Sequence, residues 1–260
     1  MIPRERIFYL AHASLTTFGR KIHLAQSGIE AGLGKMVHPY ISMSFGKDST
    51  VMTHLILRIS PNLPVIYVNC GEFDEWPDTP RVRDEFTRRF SCNLIEISGP
   101  SIIEFYRRVG YAYYQDHEET REARSAQREY GESLTRVILE KARQLGCDGG
   151  FVGMRAAEST NRARLFNWRG NLYFTRERQM WTCCPLEKWS ARDVWAYIVK
   201  YDLPYNELYD LHPAGREIAR NGAMMGTRSE VMDRMTFLKR MYPEWWNRFV
   251  AQFPEIARQL

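Results

Sequence analysis

The hydrophobic positions of the chain fall into short apolar runs that alternate with longer amphipathic segments. The apolar runs predict four buried strands, at residues 40–44, 65–68, 93–97 and 151–154. Helical patterns lie around them, at residues 4–33, 50–59, 77–90, 134–145 and 191–201, and from about 211 onward. This alternation predicts an α/β fold: a three-layer, doubly wound, mainly parallel sheet with a helical C-terminal appendage.

The same pattern suggests how the chain is divided. We expect residues 1–210 to form one α/β domain that includes the N-terminal helical segment. Residues 211–260 are expected to be a helical extension packed on that domain. Residues 110–131 are polar and aromatic, and we interpret them as a mobile cover or a partner surface.

Composition narrows the class of protein. No apolar run approaches the roughly 20 residues that span a bilayer, and the start of the chain lacks a signal-peptide pattern. We therefore expect a cytoplasmic protein without a membrane partner. Five cysteines without regular spacing do not indicate a disulfide scaffold. The net charge of +5 permits an anionic substrate or nucleic acid without requiring either.

A loop of small and polar residues joins the first predicted strand to the following helix. It spans residues 44–49 and has the sequence Ser-Phe-Gly-Lys-Asp-Ser. The N-terminus of a helix carries partial positive charge, so this position favours a phosphate. Gly46 allows close approach of the backbone, and Lys47 can balance phosphate charge. Ser44 and Ser49 can donate hydroxyl hydrogen bonds.

Two further residues of the loop refine this interpretation. Asp48 adds negative charge, which fits if it holds Mg²⁺ between phosphates or polarises a neighbouring hydroxyl. Ser49 also suits a helix N-cap. The simpler alternative is a capped strand-to-helix turn with a surface lysine. The P-loop pattern G-x-x-x-x-G-K-[ST] does not fit, because Asp48 follows Lys47 and position 41 is isoleucine.

The loop instead resembles the PP-loop, S-x-G-x-D-S, of the ATP pyrophosphatases, with Phe45 at a position that is often glycine. Other segments follow it in order: Val-Asn-Cys-Gly-Glu at 68–72, Gly-Met-Arg-Ala-Ala-Glu-Ser at 153–159, Pro-Leu-Glu-Lys-Trp at 185–189 and Asp-Val-Trp-Ala-Tyr-Ile at 193–198. Together they resemble the PAPS reductase-like branch of the adenine nucleotide α-hydrolase superfamily over roughly residues 38–205.

The resemblance implies that residues 1–210 form a PP-loop nucleotide-binding domain. It assigns phosphate or metal contacts to Ser44, Phe45, Gly46, Lys47, Asp48 and Ser49. It places Val68 and Asn69 near the adenine or ribose. It puts Gly153, Met154 and Arg155 on the opposite wall, with Arg155 reaching a phosphate or sulfate. The reductases often have Asp-Thr-Gly where this chain has Asn-Cys-Gly at 69–71, which leaves the contact of Asn69 open.

Arginines and aromatic residues are concentrated between residues 155 and 178. Six arginines stand there against two acids, Glu158 and Glu177. Such a mixture suits phosphates, and we favour Arg155 with Arg162 or Arg164 as the phosphate ligands. It also suits single-stranded nucleic acid. A solvated loop with a few core aromatics is the remaining alternative.

The cysteines argue against sulfonucleotide reduction. The resemblance brings two expectations: a C-terminal nucleophilic cysteine in PAPS reductases, and a Cys-Cys pair plus a later Cys-x-x-Cys for the iron–sulfur cluster of APS reductases. No cysteine follows Cys184, so neither mechanism nor a complete iron–sulfur site is expected. We interpret Cys183 and Cys184 as semi-buried thiols, with a persulfide relay as the alternative. Cys70 is a space-filling residue or a reactive thiol, and we favour the former.

These features predict an enzyme that cleaves ATP between its α- and β-phosphates, releasing pyrophosphate. Lys47, Asp48, Ser49 and Arg155 are the expected catalytic residues, and Asp48 is the expected ligand of Mg²⁺. The family includes ATP pyrophosphatases of DNA phosphorothioation. DNA is therefore a candidate acceptor, and a cysteine desulfurase-type sulfur donor a candidate partner. The alternatives are a sulfonucleotide enzyme (a PAPS or APS reductase or an ATP sulfurylase subunit) and a non-catalytic nucleotide-binding module.

Overall fold

A computed structural model describes residues 1–110, 121–212, 215–219 and 228–254. Its centre is a six-stranded sheet with the strand order β3-β2-β1-β4-β6-β5. The strands are β1 (Pro39–Met43), β2 (Pro64–Asn69), β3 (Asn93–Ser98), β4 (Gly149–Phe151), β5 (Leu172–Thr175) and β6 (Met180–Cys183). All neighbouring pairs are parallel except β5 and β6, which form an antiparallel hairpin at one edge.

Helices precede, connect and follow the strands. They are α1 (Pro3–Ala13), α2 (Thr16–Lys35), α3 (Lys47–Leu57), α4 (Thr79–Phe90), α5 (Ile102–Val109), α6 (Arg121–Gln144), α7 (Thr160–Arg169), α8 (Ala191–Tyr201), α9 (Leu208–Leu211), α10 (Arg228–Met241) and α11 (Pro243–Gln252). A short 3₁₀ turn, Ala156–Glu158, stands just before α7. None of the described helices is both long enough and apolar enough to cross a membrane.

Helices cover both faces of the sheet, as the alternating pattern predicted. On one face, Phe18, Ile29 and Trp195 from α2 and α8 pack with Ile41 and Val65 of the sheet. On the other face, a smaller cluster joins α6 to the sheet through Tyr40, Ile66, Ala142, Cys147 and Met180. The expected three-layer, mainly parallel α/β fold is confirmed.

The C-terminal part is helical, also as expected. Trp245 and Phe249 of α11 are buried with Met235 of α10 in a separate apolar cluster. That cluster also holds Phe73 and Trp76 from the segment after β2. The extension therefore packs on the α/β domain through the loop at the end of β2, while the division at residue 210 stays a prediction.

Four boundaries differ from the sequence-based expectation. The helix predicted over 4–33 is two helices, because the chain leaves α1 at Ser14, whose hydroxyl donates to the carbonyl of Ala11 at 2.8 Å. Helix α6 begins at Arg121 and not at 134, so only residues 111–120 of the predicted cover lie outside the described residues. The strand expected at 151–154 is β4, three residues long and ending at Phe151. The β5–β6 hairpin was not predicted.

Strand β4 was misplaced because it contains two glycines and so carries little apolar signal. Large neighbours occupy the space that side chains would fill. A Cβ at Gly149 would lie 2.4 Å from the sulfur of Met36, and one at Gly150 would lie 2.5 Å from the ring of Tyr40. The close packing of α2 and β1 against this strand therefore requires glycine.

Candidate nucleotide site

The candidate site lies where the strand order reverses. Strand β1 pairs with β2 on one side and with β4 on the other. In open parallel sheets, ligands bind beyond the carboxyl ends of the strands at such a switch point. The loops that follow β1 and β4 meet there. A Cβ built on Gly153 would lie 3.1 Å from both Cα and N of Ser49, so the second loop rests directly on the first.

Phe45 gives the loop after β1 its shape. Its backbone has a φ of 54°, in the left-handed region that favours glycine, which agrees with the glycine common at this position of the motif. Its side chain is fully buried, with ring centroids 5.0 Å from Tyr67 and 6.4 Å from Phe86. The side chain therefore anchors the turn in the core, and only its backbone can contact a ligand.

The two serines of the motif are held together across the loop. The hydroxyl oxygens of Ser44 and Ser49 are 3.1 Å apart, and the Ser44 N–H donates to Ser49 Oγ at 3.2 Å. The predicted N-cap role of Ser49 is wrong. Gly46 is the N-cap residue of α3, and Ser49 lies in the first turn, where its hydroxyl donates to the carbonyl of Gly46. The loop and the first turn of α3 thus place two hydroxyls beside the backbone N–H groups at the start of the helix.

Asp48 lies between two cations. Its Oδ1 accepts from Arg155 Nε at 2.6 Å, and its Oδ2 is 3.2 Å from Lys47 Nζ. The three side chains carry a combined formal charge of +1, and they lie at the positive end of α3. The arrangement joins the loops after β1 and β4 through a charged pair and leaves a net positive site suited to an anion.

Both cations are largely withdrawn from solvent. Lys47 and Arg155 are each 4 % exposed. Lys47 donates to the carbonyl of Ala219 at 3.1 Å and lies 5.5 Å from the ring centroid of Tyr209. Arg155 also donates to the carbonyl of Trp189 at 3.4 Å. The expected surface lysine of the simpler alternative is therefore absent, because Lys47 is a buried part of the loop.

The arginines that follow Arg155 take two different positions. Glu158 Oε2 accepts from the backbone N–H of Arg155 at 2.8 Å and also contacts the guanidinium of Arg162. Arg162 is thereby linked to the loop after β4. Arg164 is exposed on α7 and lies outside this network of described contacts. The structure brings Arg155 and Arg162 together and sets Arg164 apart.

Two other predicted residues lie at the end of β2. The side-chain oxygen of Asn69 accepts from the backbone N–H of Gly71 at 2.9 Å, and its Nδ2 donates to Glu96 at 2.7 Å. Val68 packs closely on Gly99. A Cβ added at Gly99 would lie 2.4 Å from Cγ1 of Val68. Both polar atoms of the Asn69 side chain therefore bind other groups of the protein, and they stabilise the turn after β2.

The described residues fit a protein-held Mg²⁺ poorly. Both carboxylate oxygens of Asp48 already face cations. No group of three or more histidine, cysteine or acidic side chains in the described part of the chain could hold a metal. Magnesium bound mainly by phosphate oxygens is a common arrangement in nucleotide sites. We therefore derive no step through a metal ion held by Asp48.

All five cysteines lie within the described residues, and all are buried. Burial raises the pKa of the Cys183 thiol to about 12 and also raises the pKa of the Cys70, Cys92, Cys147 and Cys184 thiols. The thiolate is the nucleophilic form of cysteine. None of these thiols is therefore prepared for nucleophilic attack or sulfur transfer at neutral pH.

Several residues of the site were not found by sequence reasoning. Tyr209 and Ala219 enclose Lys47, and the Trp189 carbonyl holds Arg155. Trp189 belongs to the 185–189 segment of the resemblance, but its carbonyl was given no role there. No local pattern marks Tyr209 and Ala219, because they come from segments far along the chain. Glu75 is a second omission: burial raises its pKa to about 8, and Tyr67 donates to it at 2.7 Å. Glu75 is one of several acids between β2 and α4, and nothing in the sequence distinguishes it from Glu72 and Asp74.

Comparison with known proteins agrees with this architecture. The family model "Phosphoadenosine phosphosulfate reductase domain" matches residues 38–228. A phosphoadenosine 5'-phosphosulfate reductase of Xylella fastidiosa (strain M12) is 30% identical over 175 residues, 66% of this chain and 68% of that protein. One from Synechococcus sp. is 28% identical over 174 residues, 65% of this chain and 68% of that protein. The chain belongs to the phosphoadenosine phosphosulfate reductase domain family.

Solved structures share the fold at low sequence identity. A phosphoadenylyl-sulfate reductase from Candida auris in complex with phosphate has a TM-score of 0.53 at 17% identity, covering 72% of this chain and 84% of that one. The U34-tRNA thiolase NcsA from Methanococcus maripaludis, with its [4Fe-4S] cluster, has a TM-score of 0.52 at 16% identity, covering 93% and 81%. The chain therefore shares its overall fold with these two enzymes.

Proposed function

We propose that the protein binds the magnesium complex of ATP on the loop at 44–49 and cleaves it between the α- and β-phosphates. The observation that carries this proposal is the position of Asp48, bonded to Arg155 and close to Lys47, beside the paired hydroxyls of Ser44 and Ser49. Net positive charge, a helix N-terminus and two hydroxyls then meet at the switch point of the sheet.

The proposed chemistry is a displacement at the α-phosphorus. An acceptor oxygen forms a bond to that phosphorus, the bond to the bridging oxygen breaks, and pyrophosphate leaves with the electron pair. Arg155 and Lys47 stabilise the added negative charge from buried positions, where charges interact more strongly than in water. Ser44 and Ser49 orient phosphate oxygens, and Asp48 holds Arg155 in place.

The segments beyond the loop supply the rest of the proposed site. Gly153 and Met154 form the wall opposite the loop, since Gly153 already contacts Ser49. Arg162 adds charge near the phosphates through its link to Glu158. Val68 and Asn69 border the adenine or ribose from the end of β2. Water as the acceptor gives AMP, and any other oxygen gives an adenylate.

The state of the thiols separates this proposal from a reductase. Reduction of a sulfonucleotide by a protein thiol requires an accessible nucleophilic sulfur. All five cysteines of the chain are buried, and the pKa of each is raised. Cleavage of ATP requires no thiol. The burial of Cys70, Cys183 and Cys184 therefore favours the ATP reaction and gives no support to a persulfide relay.

A sulfonucleotide enzyme is the second candidate, because curated relatives such as the Xylella fastidiosa protein are named phosphoadenosine 5'-phosphosulfate reductases. A sulfurylase subunit, which forms adenylyl sulfate from ATP and sulfate, remains compatible with buried thiols. For the acceptor we propose a nucleic-acid phosphate that is activated for sulfur insertion, as in DNA phosphorothioation. A cysteine desulfurase-type donor would then deliver the sulfur in the cytoplasm.

The test is a product analysis. Purified protein is incubated with Mg²⁺ and α-labelled ATP, with and without single-stranded DNA, and the nucleotides and pyrophosphate are resolved. We expect AMP or an adenylate together with pyrophosphate, and loss of both in an Arg155→Lys variant. An Arg20→Lys variant, altered at an exposed position of α2, is the matched control.

Each other outcome has a defined meaning. ADP with inorganic phosphate would contradict cleavage at the α/β bond. Adenylyl sulfate formed only when sulfate is added would favour the sulfurylase. Reduction of PAPS to sulfite would establish the reductase and overturn the argument from the thiols. ATP binding without turnover under every condition would indicate a non-catalytic nucleotide-binding module.

A further inference from the structure

A surface of arginine and aromatic side chains lies on the outer side of α7 and the start of β5. We call it the Arg-Trp face and define it by Arg164, Trp168, Arg169 and Tyr173. Trp168 is 75 % exposed, the largest exposed fraction of any described tryptophan. Arg164 precedes it by one helical turn and therefore lies on the same side of α7. This tryptophan has no role in the core.

One arginine of the Arg-Trp face, Arg169, packs against two aromatic rings. The guanidinium carbon of Arg169 is 4.6 Å from the ring centroid of Trp168 and 5.5 Å from that of Tyr173. A guanidinium held against aromatic rings keeps its N–H donors free at its edge. The face thus offers an exposed flat ring next to a fixed cation.

The charge of this segment is unbalanced. Residues 160–175 contain three arginines and no acidic residue. Arg162 contacts Glu158, but no carboxylate lies within ion-pair distance of Arg164 or Arg169 among the described residues. Some exposed arginines elsewhere, such as Arg81 and Arg108, do contact carboxylates. The missing counter-charge favours an anionic partner for this face.

Helix α7, which carries most of the Arg-Trp face, begins beside the candidate nucleotide site. Ser159 caps α7 by accepting from the N–H of Arg162, and Arg155 of the site stands just before it in the chain. At about 1.5 Å per residue, the ten residues of α7 extend roughly 15 Å from that point. A linear anion lying along α7 would have one end at the loop that holds Asp48.

We propose that the Arg-Trp face binds single-stranded nucleic acid and leads the strand towards the nucleotide site. Trp168 stacks on a base, and Arg164 and Arg169 contact neighbouring phosphates. A single strand fits better than a duplex, because an exposed ring can stack only on a base that is not already enclosed by its neighbours. This inference assigns a binding surface to the nucleic-acid acceptor of the proposed ATP reaction. It rests on that reaction only for its purpose, since strand binding can be measured alone.

The test is fluorescence anisotropy with labelled 20-nucleotide strands of DNA and of RNA and with a DNA duplex of the same sequence. We expect both single strands to bind more tightly than the duplex. Trp168→Ala should weaken single-strand binding on the order of ten-fold through lost stacking, and Trp168→Phe should restore much of it. The double variant Arg164→Glu, Arg169→Glu should lose more and reduce the salt dependence by about 1.4 in the log–log slope.

A matched control separates a defined surface from general charge. The double variant Arg20→Glu, Arg88→Glu makes the same change in net charge at exposed positions on α2 and α4. We expect it to bind single strands nearly as well as the unaltered protein. Equal losses in the two double variants, or unchanged binding by Trp168→Ala, would overturn the proposal, as would tighter binding of the duplex.

The same variants keep this inference distinct from the proposed ATP reaction. Trp168→Ala should leave nucleotide cleavage without added strand unchanged, because Trp168 is largely exposed and has no part in the described contacts of the loop at 44–49. Strand binding without any ATP cleavage would contradict only the proposed reaction. ATP cleavage without strand binding would contradict only the proposed role of the Arg-Trp face. A difference between the DNA and RNA arms identifies which strand is the ligand.

Discussion

Arg155 and Arg164 belong to one short stretch of sequence, yet they stand in opposite environments. Arg155 is 4 % exposed, bonded to Asp48, and fixed between the loops after β1 and β4. Arg164 is exposed on α7, in a segment without acidic residues. The same residue type therefore lies in the interior of the candidate nucleotide site in one case and on an exposed surface in the other.

The difference lies in what each charge has for a partner. A buried charge is tolerated only when it is paired, because leaving water costs several kcal/mol per ion. Arg155 and Lys47 are therefore fixed before any ligand arrives. An exposed arginine keeps its hydration, gains little from pairing, and is screened by salt. The nucleotide site should thus respond strongly to substitution, and the Arg-Trp face only when a partner is present.

The largest expected effect comes from Asp48→Asn. It leaves Lys47 and Arg155 buried without a counter-charge, which should lower the free energy of unfolding by about 3 kcal/mol. ATP cleavage should fall by roughly 100-fold or more, since Arg155 loses its fixed position. Urea denaturation and pyrophosphate release measure the two effects.

An exposed pair is the control for that experiment. Asp84 is 2.9 Å from Arg83, but its side chain is 70 % exposed. Asp84→Asn should change stability by less than about 1 kcal/mol and leave cleavage unaltered. Similar losses in Asp48→Asn and Asp84→Asn would abolish the distinction between buried and exposed charges. Full activity of Asp48→Asn would remove Asp48 from the mechanism.

The second prediction concerns the contact between the two loops. Gly153→Ala places a methyl group 3.1 Å from the backbone of Ser49, so one loop must shift. We expect a loss of about 1–3 kcal/mol in stability and a clear reduction in ATP affinity. Gly34→Ala is the matched control, because no atom lies within 4 Å of its added Cβ. Unchanged ATP affinity in Gly153→Ala would show that the loops need not touch.

The smallest expected effect concerns His54, a buried side chain that stays neutral, in contrast to the buried charges of Lys47 and Arg155. Burial lowers the pKa of His54 to about 4, with Arg58 and Arg89 adding to the effect. An unfolded histidine has a pKa of about 6.5, so the unfolded state binds more protons between pH 6.5 and 4. The contribution of His54 to the free energy of unfolding is fully present above pH 6.5. The free energy of unfolding should fall by roughly 2 kcal/mol as the pH drops through that window.

The measurement is urea denaturation at pH 7 and at pH 4.5. Replacing His54 by Gln should reduce the difference in stability between the two pH values, because the titrating group is gone. The same replacement at the exposed His23 should leave that difference as it is. An unaltered pH difference in the His54 variant would show that other groups govern the acid response.

Much of the fold could be predicted because each helix and most strands carry their own periodicity. Helix α8 was predicted with its bounds at Ala191 and Tyr201, since its buried face is continuous and Ser190 caps it. Strand β4 and the β5–β6 hairpin were not placed correctly. β4 contains two glycines, and the burial of the hairpin residues Met180 and Cys183 depends on their packing against α6 and α2.

For the candidate site, the local motif was enough to predict a phosphate-binding loop. It was not enough to predict the residues that surround the loop. The order of residues 44–49 and 153–155 predicted a phosphate site, because the required residue types are adjacent in sequence. The burial of Lys47 beneath Tyr209 and Ala219 could not be predicted, since those residues come from another segment. Nor could the sequence distinguish Arg155 from Arg164.

The sequence by itself therefore determined the α/β class, the residues of the candidate phosphate-binding loop and the supply of arginines that follow it. These features depend on neighbours within a few residues, where periodicity and turn chemistry act. Only the tertiary structure decided which charges are buried, which carboxylate pairs with them, and which arginines remain open to a partner. Burial is a property of the packed chain, and it sets both the strength of a charge and its availability.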